Sequence, residues 1–180
     1  MHPPIRRIGP DAFSSLSLRS FRCTPGVGDA HAVEAAIRDL TAEELQDDGS
    51  VLFAALDGQL TVGVAVVTPV ASRPGIWYIP VLAVRVPWQD KGLGRALKHT
   101  CLAAAHEAHG HRVISSVNLA TGYMHRINQT TAGAEWAAEE SAPGVFYSID
   151  LAVWAAAYYP DQPPRLPIDL PPRSVKPESN

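Results

Sequence analysis

The spacing of apolar residues changes several times along the chain, and each change predicts an element. Pro3, Pro4 and Pro10 break residues 1–13 into an irregular start. Leu16 and Leu18 alternate with polar neighbours and Phe21 and Cys23 follow less regularly, so residues 16–23 read as a first strand that Pro25 and Gly26 close. Asp29 can cap a helix over residues 31–40, with Val33, Ala36, Ile37 and Leu40 on one face. Thr41 with Glu44 forms a capping box for a second, shorter helix. Two apolar runs, 51–56 and 60–67, flank Asp57-Gly58 and predict a hairpin with a type I′ turn. Residues 76–86 add a third strand after the Pro74-Gly75 turn. Pro80, in its middle, cannot donate to a ladder and predicts a bulge or a splay there.

The pattern then switches from strand to helix within residues 81–96, V-L-A-V-R-V-P-W-Q-D-K-G-L-G-R-A. A β-branched run passes through Pro87 and two glycines into a helix with an apolar stripe at Leu93, Leu97, Cys101, Ala104 and Ala108, ending at Gly110. Residues 112–119 follow as a strand, which the β-α-β order makes parallel to the strand before the helix. Thr121 can cap a helix through Met124, Ile127 and Asn128 towards Gly133, and two strands at 135–140 and 145–153 surround Pro143-Gly144. From residue 154 onwards Pro160, Pro163, Pro164, Pro167, Pro171 and Pro172 predict an extended tail, either a loose terminus or a segment that packs on a partner subunit. The expected organisation is an irregular residues 1–13, one domain over 14–153 and a Pro-rich tail over 154–180.

Composition narrows the function classes. With 46% apolar and 18% charged residues and a net charge of −3, no long basic stripe is present to bind nucleic acid. No apolar run approaches the length of a membrane span, and the N-terminal cations are not followed by the apolar core of a signal peptide. Cys23 and Cys101 lie far apart, with Cys101 on the helical stripe. They read as reduced thiols, which suggests the cytoplasm. His106, His109 and His111 invite a metal reading, but a zinc helix needs histidines at i and i+4, and Gly110 stands there relative to His106. No metal is therefore expected, and the histidines suit the negative end of the helix dipole.

The glycine turn carries the candidate chemistry. The first backbone N–H groups of a helix are unpaired and sit at the positive end of its dipole, so anions bind there. Lys91, Arg95 and Lys98 place cations in the first turns, where the dipole disfavours each by roughly 0.3–1 kcal/mol unless an anion is near. The glycines either cradle a phosphate or only make a tight turn. A Walker loop is excluded because G-K-[ST] is missing, and a dinucleotide fingerprint because Leu97 stands where its third glycine belongs.

Gln89-Asp90-Lys91-Gly92-Leu93-Gly94 resembles the Q/R-x-x-G-x-G/A signature of the GNAT superfamily of N-acetyltransferases, and Leu82-Ala83-Val84 resembles the strand that precedes it in that family. The resemblance implies an α/β fold with a central, splayed mixed sheet in the order β-αα-βββ-α-β-α-ββ. It implies acetyl-CoA as cofactor, held by Leu82, Ala83, Val84, Gln89, Asp90, Lys91, Gly92, Leu93, Gly94 and Arg95. Met124-His125-Arg126-Ile127-Asn128 resembles a family variant that adds Asn128 as a coenzyme contact, with Thr121 as a weaker second. The implied reaction is direct attack by an amine of a small molecule, peptide or protein, with a freed N–H around Leu82 to Val84 stabilising the oxyanion. A homodimer is the default assembly.

The sequence departs from the family's commonest pattern at the acid and the base. Residues 77–84 hold no carboxylate, and either Gln129 or Asn128 stands where a tyrosine is common. Neither amide can act as an acid. Tyr78, Tyr123, His125 and Glu135 are the substitute candidates, each with a packing role as the alternative. Beside the enzyme stand a non-catalytic acyl-CoA-binding domain that keeps only the pyrophosphate loop, and an unrelated α/β domain.

Overall fold

The computed structural model describes residues 3–18, 21, 34–35, 37–39, 45, 49–117, 123–137, 145–164 and 166. Its strands are β1 (Ile5–Ile8), β2 (Val51–Asp57), β3 (Leu60–Pro69), β4 (Ile76–Val84), β5 (Arg112–Val117), β6 (Ala134–Ala137) and β7 (Val145–Asp150). The described helices include α1 (Pro10–Phe13), α2 (Leu93–Glu107), α3 (Tyr123–Gln129) and α4 (Leu151–Tyr158). One mixed sheet takes the order β1-β2-β3-β4-β5-β7-β6, and β4 with β5 is its parallel pair.

The hairpin forms where Asp57-Gly58 predicted it, with Asp57 opposite Leu60. Gly58 has φ +59 and Gln59 is not in the positive region, which fits a type II′ turn rather than the expected type I′. In β4 the register against β3 slips by one residue between Val81 and Tyr78, so the bulge falls at Ile79 and Pro80. That extra residue resets the alternation of faces. Trp77 and Ile79 pack on the α2 side, whereas beyond the bulge Val81 and Ala83 join the opposite core and Val84 returns to the α2 side.

Two cores result. Phe53, Val62, Ala65 and Val113 meet Leu93, Leu97, Cys101 and Leu102 of α2 on one face. On the other, Leu52, Val64 and Val66 meet Leu18, Phe21, Ile37 and Leu45. Helix α2 is alanine-rich and good at helix formation. It stops where His109 turns left-handed at φ +60 and the Gly110 N–H reaches back to the Ala105 carbonyl. Among the described residues no helix is long and apolar enough to cross a membrane.

Three expectations need correction. The first strand is Ile5–Ile8, within the stretch read as irregular, because an edge strand tolerates flanking prolines and outward arginines. The described residues of 16–23 form no strand. The Phe21 N–H bonds the Leu18 carbonyl, and both side chains plug the second core. Arg85 fastens them through the Ser17 carbonyl at 3.2 Å and the Phe21 ring at 4.7 Å. The last strand ends at Asp150 rather than residue 153. The Asp150 carboxylate accepts from the Ala152 and Val153 N–H groups at 2.9 and 3.0 Å and starts α4, so the tail begins as a helix instead of an extended segment. Trp154, read as tail, is 0% exposed in the main core. Of the first predicted helix, Glu34, Ala35, Ile37 and Arg38 are helical. The Thr41–Glu44 capping box lies outside the described residues.

Candidate functional site

The site grows out of the bulge. Strand β5 pairs with β4 only from Ile76–Arg112 to Ile79–Ser115, although both strands continue past that point. Beyond it the sheet forks. The Arg85 N–H bonds the Val62 carbonyl of β3, so in an antiparallel ladder Ala83 also turns its backbone to β3 while Leu82 and Val84 turn theirs to the fork. Pro80 at the branch has no N–H to offer. Of the three strand residues expected to hold a cofactor, Leu82 and Val84 therefore present backbone groups to the opening. Ala83 does not, and its side chain is buried in the opposite core.

The glycine turn closes the fork's outer end. A short 3-10 turn (Val86–Trp88) follows β4, and the Gln89 Nε2 donates to the Val84 carbonyl at 2.9 Å, which pins the loop to the strand. Asp90 has φ +57. Gly92, the residue before α2, has φ +85, a conformation costly for a side chain. The N–H groups of the following helical turn are thereby aimed outwards. Gly94 serves space rather than conformation. A Cβ there would stand 3.3 Å from Ile127 Cδ1 and 3.7 Å from Val84 Cγ2, so the missing side chain lets α2, α3 and β4 meet. Leu93 is buried and acts in packing. The cations separate into three roles. Lys91 Nζ donates to the Pro87 carbonyl at 2.8 Å and lies 5.3 Å from the Trp88 ring centre. Arg95 stays part-exposed on the first turn, and its charge helps burial hold the neighbouring His99 down to about 3. Lys98, grouped with them in the sequence, is wholly buried.

Helix α3 covers the fork from the side. Of the two amides Asn128 is buried and Gln129 exposed. Among the described residues both Asn128 amide atoms lack a hydrogen-bond partner, as do Lys98 Nζ and Ser115 Oγ. Burial alone pushes the Lys98 ammonium down to about 7, partly offset by Cys101.

The substitute acids and bases disperse. Tyr78 is on β4 just before the fork, on the face away from α2, and Glu135 is exposed on the edge strand β6. His125 sits on α3 with Nδ1 3.0 Å from the Tyr147 hydroxyl, and its ring meets Trp136 edge-on. Tyr123 opens α3, with its side chain outside the described residues, as is Thr121. Sequence reasoning missed Tyr147 and Trp136. Pairing of Ser115 with Tyr147 and of Tyr147 with Trp136 puts all three in one row beneath α3, and only the strand register reveals it. Among the described residues no cluster of three or more His, Cys, Asp or Glu is arranged for a metal ion.

A family model described as "Acetyltransferase (GNAT) family" matches residues 15–126, which include the strand, the fork and the glycine turn. The chain belongs to the GNAT acetyltransferase family. No curated protein sequence matches it. Solved structures with the same fold include the PaiA N-acetyltransferase of Thermoplasma acidophilum in complex with coenzyme A (12% identity, 83% of this chain and 99% of that one, TM-score 0.60). Another is the ribosomal-protein-alanine N-acetyltransferase of Brucella melitensis (14% identity, 82% and 99%, TM-score 0.57). A third is a GNAT-family acetyltransferase of Staphylococcus aureus (11% identity, 82% and 98%, TM-score 0.59).

The GNAT family uses acetyl-CoA as its acetyl donor. The residues present fit that molecule. The β4 edge at Leu82 and Val84 would take its amide arm and the Gly92 turn its pyrophosphate, while the amide of Asn128 and the hydroxyl of Ser115, without a partner among the described residues, are buried polar groups that a ligand could satisfy.

Proposed function

We propose that the chain is an N-acetyltransferase that carries the acetyl group of acetyl-CoA to an amine of a small molecule, peptide or protein by direct attack. The observation behind this reading is the fork between β4 and β5, where β4 from the bulge at Pro80 to Val84 has no strand partner on the β5 side among the described residues. In this reading the backbone of Leu82 and Val84 pairs with the amide arm, and one of their N–H groups stabilises the negative charge that develops on the acetyl oxygen. Gln89, Asp90, Lys91, Gly92, Gly94 and Arg95 form the pyrophosphate cradle, with Gln89 holding the loop to β4. Acetyl-CoA supplies an activated acyl group and a good leaving group. The chain supplies alignment, which by itself is worth several kcal/mol. Two fold neighbours named as N-acetyltransferases support an amine as acceptor. The free, buried Cys101 suits a reducing compartment such as the cytoplasm.

Thermal unfolding with and without acetyl-CoA tests the reading first. Ligand at about a hundred times its dissociation constant adds roughly 2.7 kcal/mol, or about 5–10 °C for a domain of this size. Thiol release against a panel of amines follows. No shift would refute the coenzyme site. A shift with no release on any amine would favour a non-catalytic acyl-CoA-binding domain, which the lack of a carboxylate on residues 77–84 supports.

A further inference from the structure

Helix α3 has seven residues, and isolated helices shorter than roughly 12–15 residues are marginal in water. Its place is therefore set from outside. Ile127 rests against the glycine turn, with its Cδ1 3.3 Å from where a Cβ on Gly94 would stand, so α3 is one wall of the turn assigned above to the pyrophosphate. His125 Nδ1 meets the Tyr147 hydroxyl at 3.0 Å. The hold on the residues that leave α3 for β6 comes from α4. The Tyr158 hydroxyl donates to the Thr130 carbonyl at 2.9 Å and accepts from the Ala132 N–H at 3.3 Å. One hydroxyl thereby satisfies two backbone groups just past the end of α3, where a helix leaves its own groups unpaired.

The same tyrosine is fixed to α2. Its ring stands edge-on to the buried His99, with ring centres 4.7 Å apart. Trp154, one turn earlier on the same face of α4, donates its indole N–H to His99 Nδ1 at 3.2 Å, and burial keeps that imidazole neutral and able to accept. The other end of α4 sits on Gly133. The Asp150 N–H bonds the Gly133 carbonyl at 2.9 Å, and a Cβ on Gly133 would lie 2.7 Å from the Asp150 oxygen and 3.1 Å from Val153 Cβ. Helix α4 thus grips residues 130–133 from both of its ends while Trp154 and Tyr158 bear on α2. It ties the helix that starts at the glycine turn to the helix that walls it.

We propose that Tyr158 is a positioning residue for the coenzyme site and acts through α3, its hydroxyl holding α3 against the Gly94 turn in the place that binds acetyl-CoA. The inference rests on the acetyltransferase reading above. Tyr158 takes no part in the chemical step. Its effect is on how much of the free protein is ready to bind: where the competent arrangement is only a fraction of the population, the apparent dissociation constant rises by the inverse of that fraction. A short helix held by a few side-chain contacts is open to this, because the loss of one contact is a large share of its hold.

The test compares wild type, Tyr158→Phe and Trp154→Phe. Tyr158→Phe leaves the ring on His99 and removes only the hydroxyl, whereas Trp154→Phe removes the indole N–H on α2 and leaves the bonds to residues 130 and 132. Calorimetry measures acetyl-CoA binding, and hydrogen exchange follows the amides of α3 with and without acetyl-CoA. Tyr158→Phe should weaken acetyl-CoA binding about three- to tenfold, the size of one hydrogen bond's net contribution. Exchange along α3 should rise by a similar factor in the free variant and return to the wild-type rate once acetyl-CoA saturates it. With an amine that wild type acetylates, the same variant should raise KM for acetyl-CoA by that factor and keep kcat within about twofold. Trp154→Phe should lower the unfolding temperature yet bind acetyl-CoA within about twofold of wild type. Unchanged acetyl-CoA affinity in Tyr158→Phe would make its hydroxyl merely structural and overturn the proposal. Equal weakening in both variants would overturn it too, since a general loosening of α4 then accounts for the effect. Failure of wild type to bind acetyl-CoA overturns the acetyltransferase reading itself, and the positioning role with it.

Discussion

Replacing Lys98 by methionine should make the free protein more stable, by an amount that depends on pH. Methionine keeps most of the lysine stem and removes a buried amine that has no partner among the described residues. The unfolded chain holds the Lys98 proton up to the ordinary lysine value of about 10.4, whereas the native state gives it up at about 7. Between those values the unfolded state binds more protons, so native stability rises with pH. Below about 7 both states carry the charge, and the native state bears the full penalty. At ~1.36 kcal/mol per unit, the penalty is about 4 kcal/mol at pH 7, about 2 kcal/mol at pH 9 and close to zero above about pH 11. Lys98→Met should therefore unfold roughly 8–16 °C higher than wild type at pH 7, with the gap about halved at pH 9. Calorimetry or denaturant unfolding of both proteins reads this directly at pH 7 and above, where His99, whose imidazolium Lys98 also disfavours, is largely neutral in both. A methionine variant no more stable than wild type, or a gap that does not close with rising pH, would refute the claim that Lys98 is buried without a counter-ion.

Gly92→Asp should abolish coenzyme binding, because it forces φ +85 on a side chain and sets a carboxylate at the anion site; calorimetry with coenzyme A measures it. Asn128→Ala should weaken acetyl-CoA binding several-fold with little change in unfolding temperature, since its amide makes no hydrogen bond among the described residues. A large loss of stability would mean that Asn128 is structural. Asp150→Ala should cost about 1 kcal/mol and lower the unfolding temperature by about 2–4 °C through loss of the α4 cap.

Much of the site was legible in the sequence because its signals are local. Gly92 and Gly94 after a β-branched run specify a strand, a turn and a helix with no reference to the rest of the chain. Pro80 announced the bulge for the same reason, since a missing N–H is a property of one residue. The edges of the fold were less legible. Residues 5–8 become a strand only because β2 offers a free edge, and Leu18 and Phe21 leave the strand pattern because a core on the far side of the sheet takes them in. The Asp150 cap was readable, with Asp before an alanine-rich run. The apolar alternation of β7 concealed it by running into the helix without a break. Lys98 shows the other limit. Its place after Lys91 and Arg95 grouped it with the cations of the phosphate turn, and only the packed structure shows that it is enclosed.

The bulge at Pro80 also has a mechanical side. Among the described residues the sheet is two plates, β1 to β4 and β5 to β7, and their shared backbone joint is the four-pair seam from Ile76–Arg112 to Ile79–Ser115. Beyond the seam the plates are held apart or together by what lies between them and by α2 and α3 laid across the gap. On the proposed function, an amide arm seated there would bridge the plates as a staple bridges two pages, and the acetyl donor would also be a structural member. Slow hydrogen exchange along Leu82 and Val84 should then depend on the coenzyme far more than exchange along β2 and β3, which are stitched on both sides.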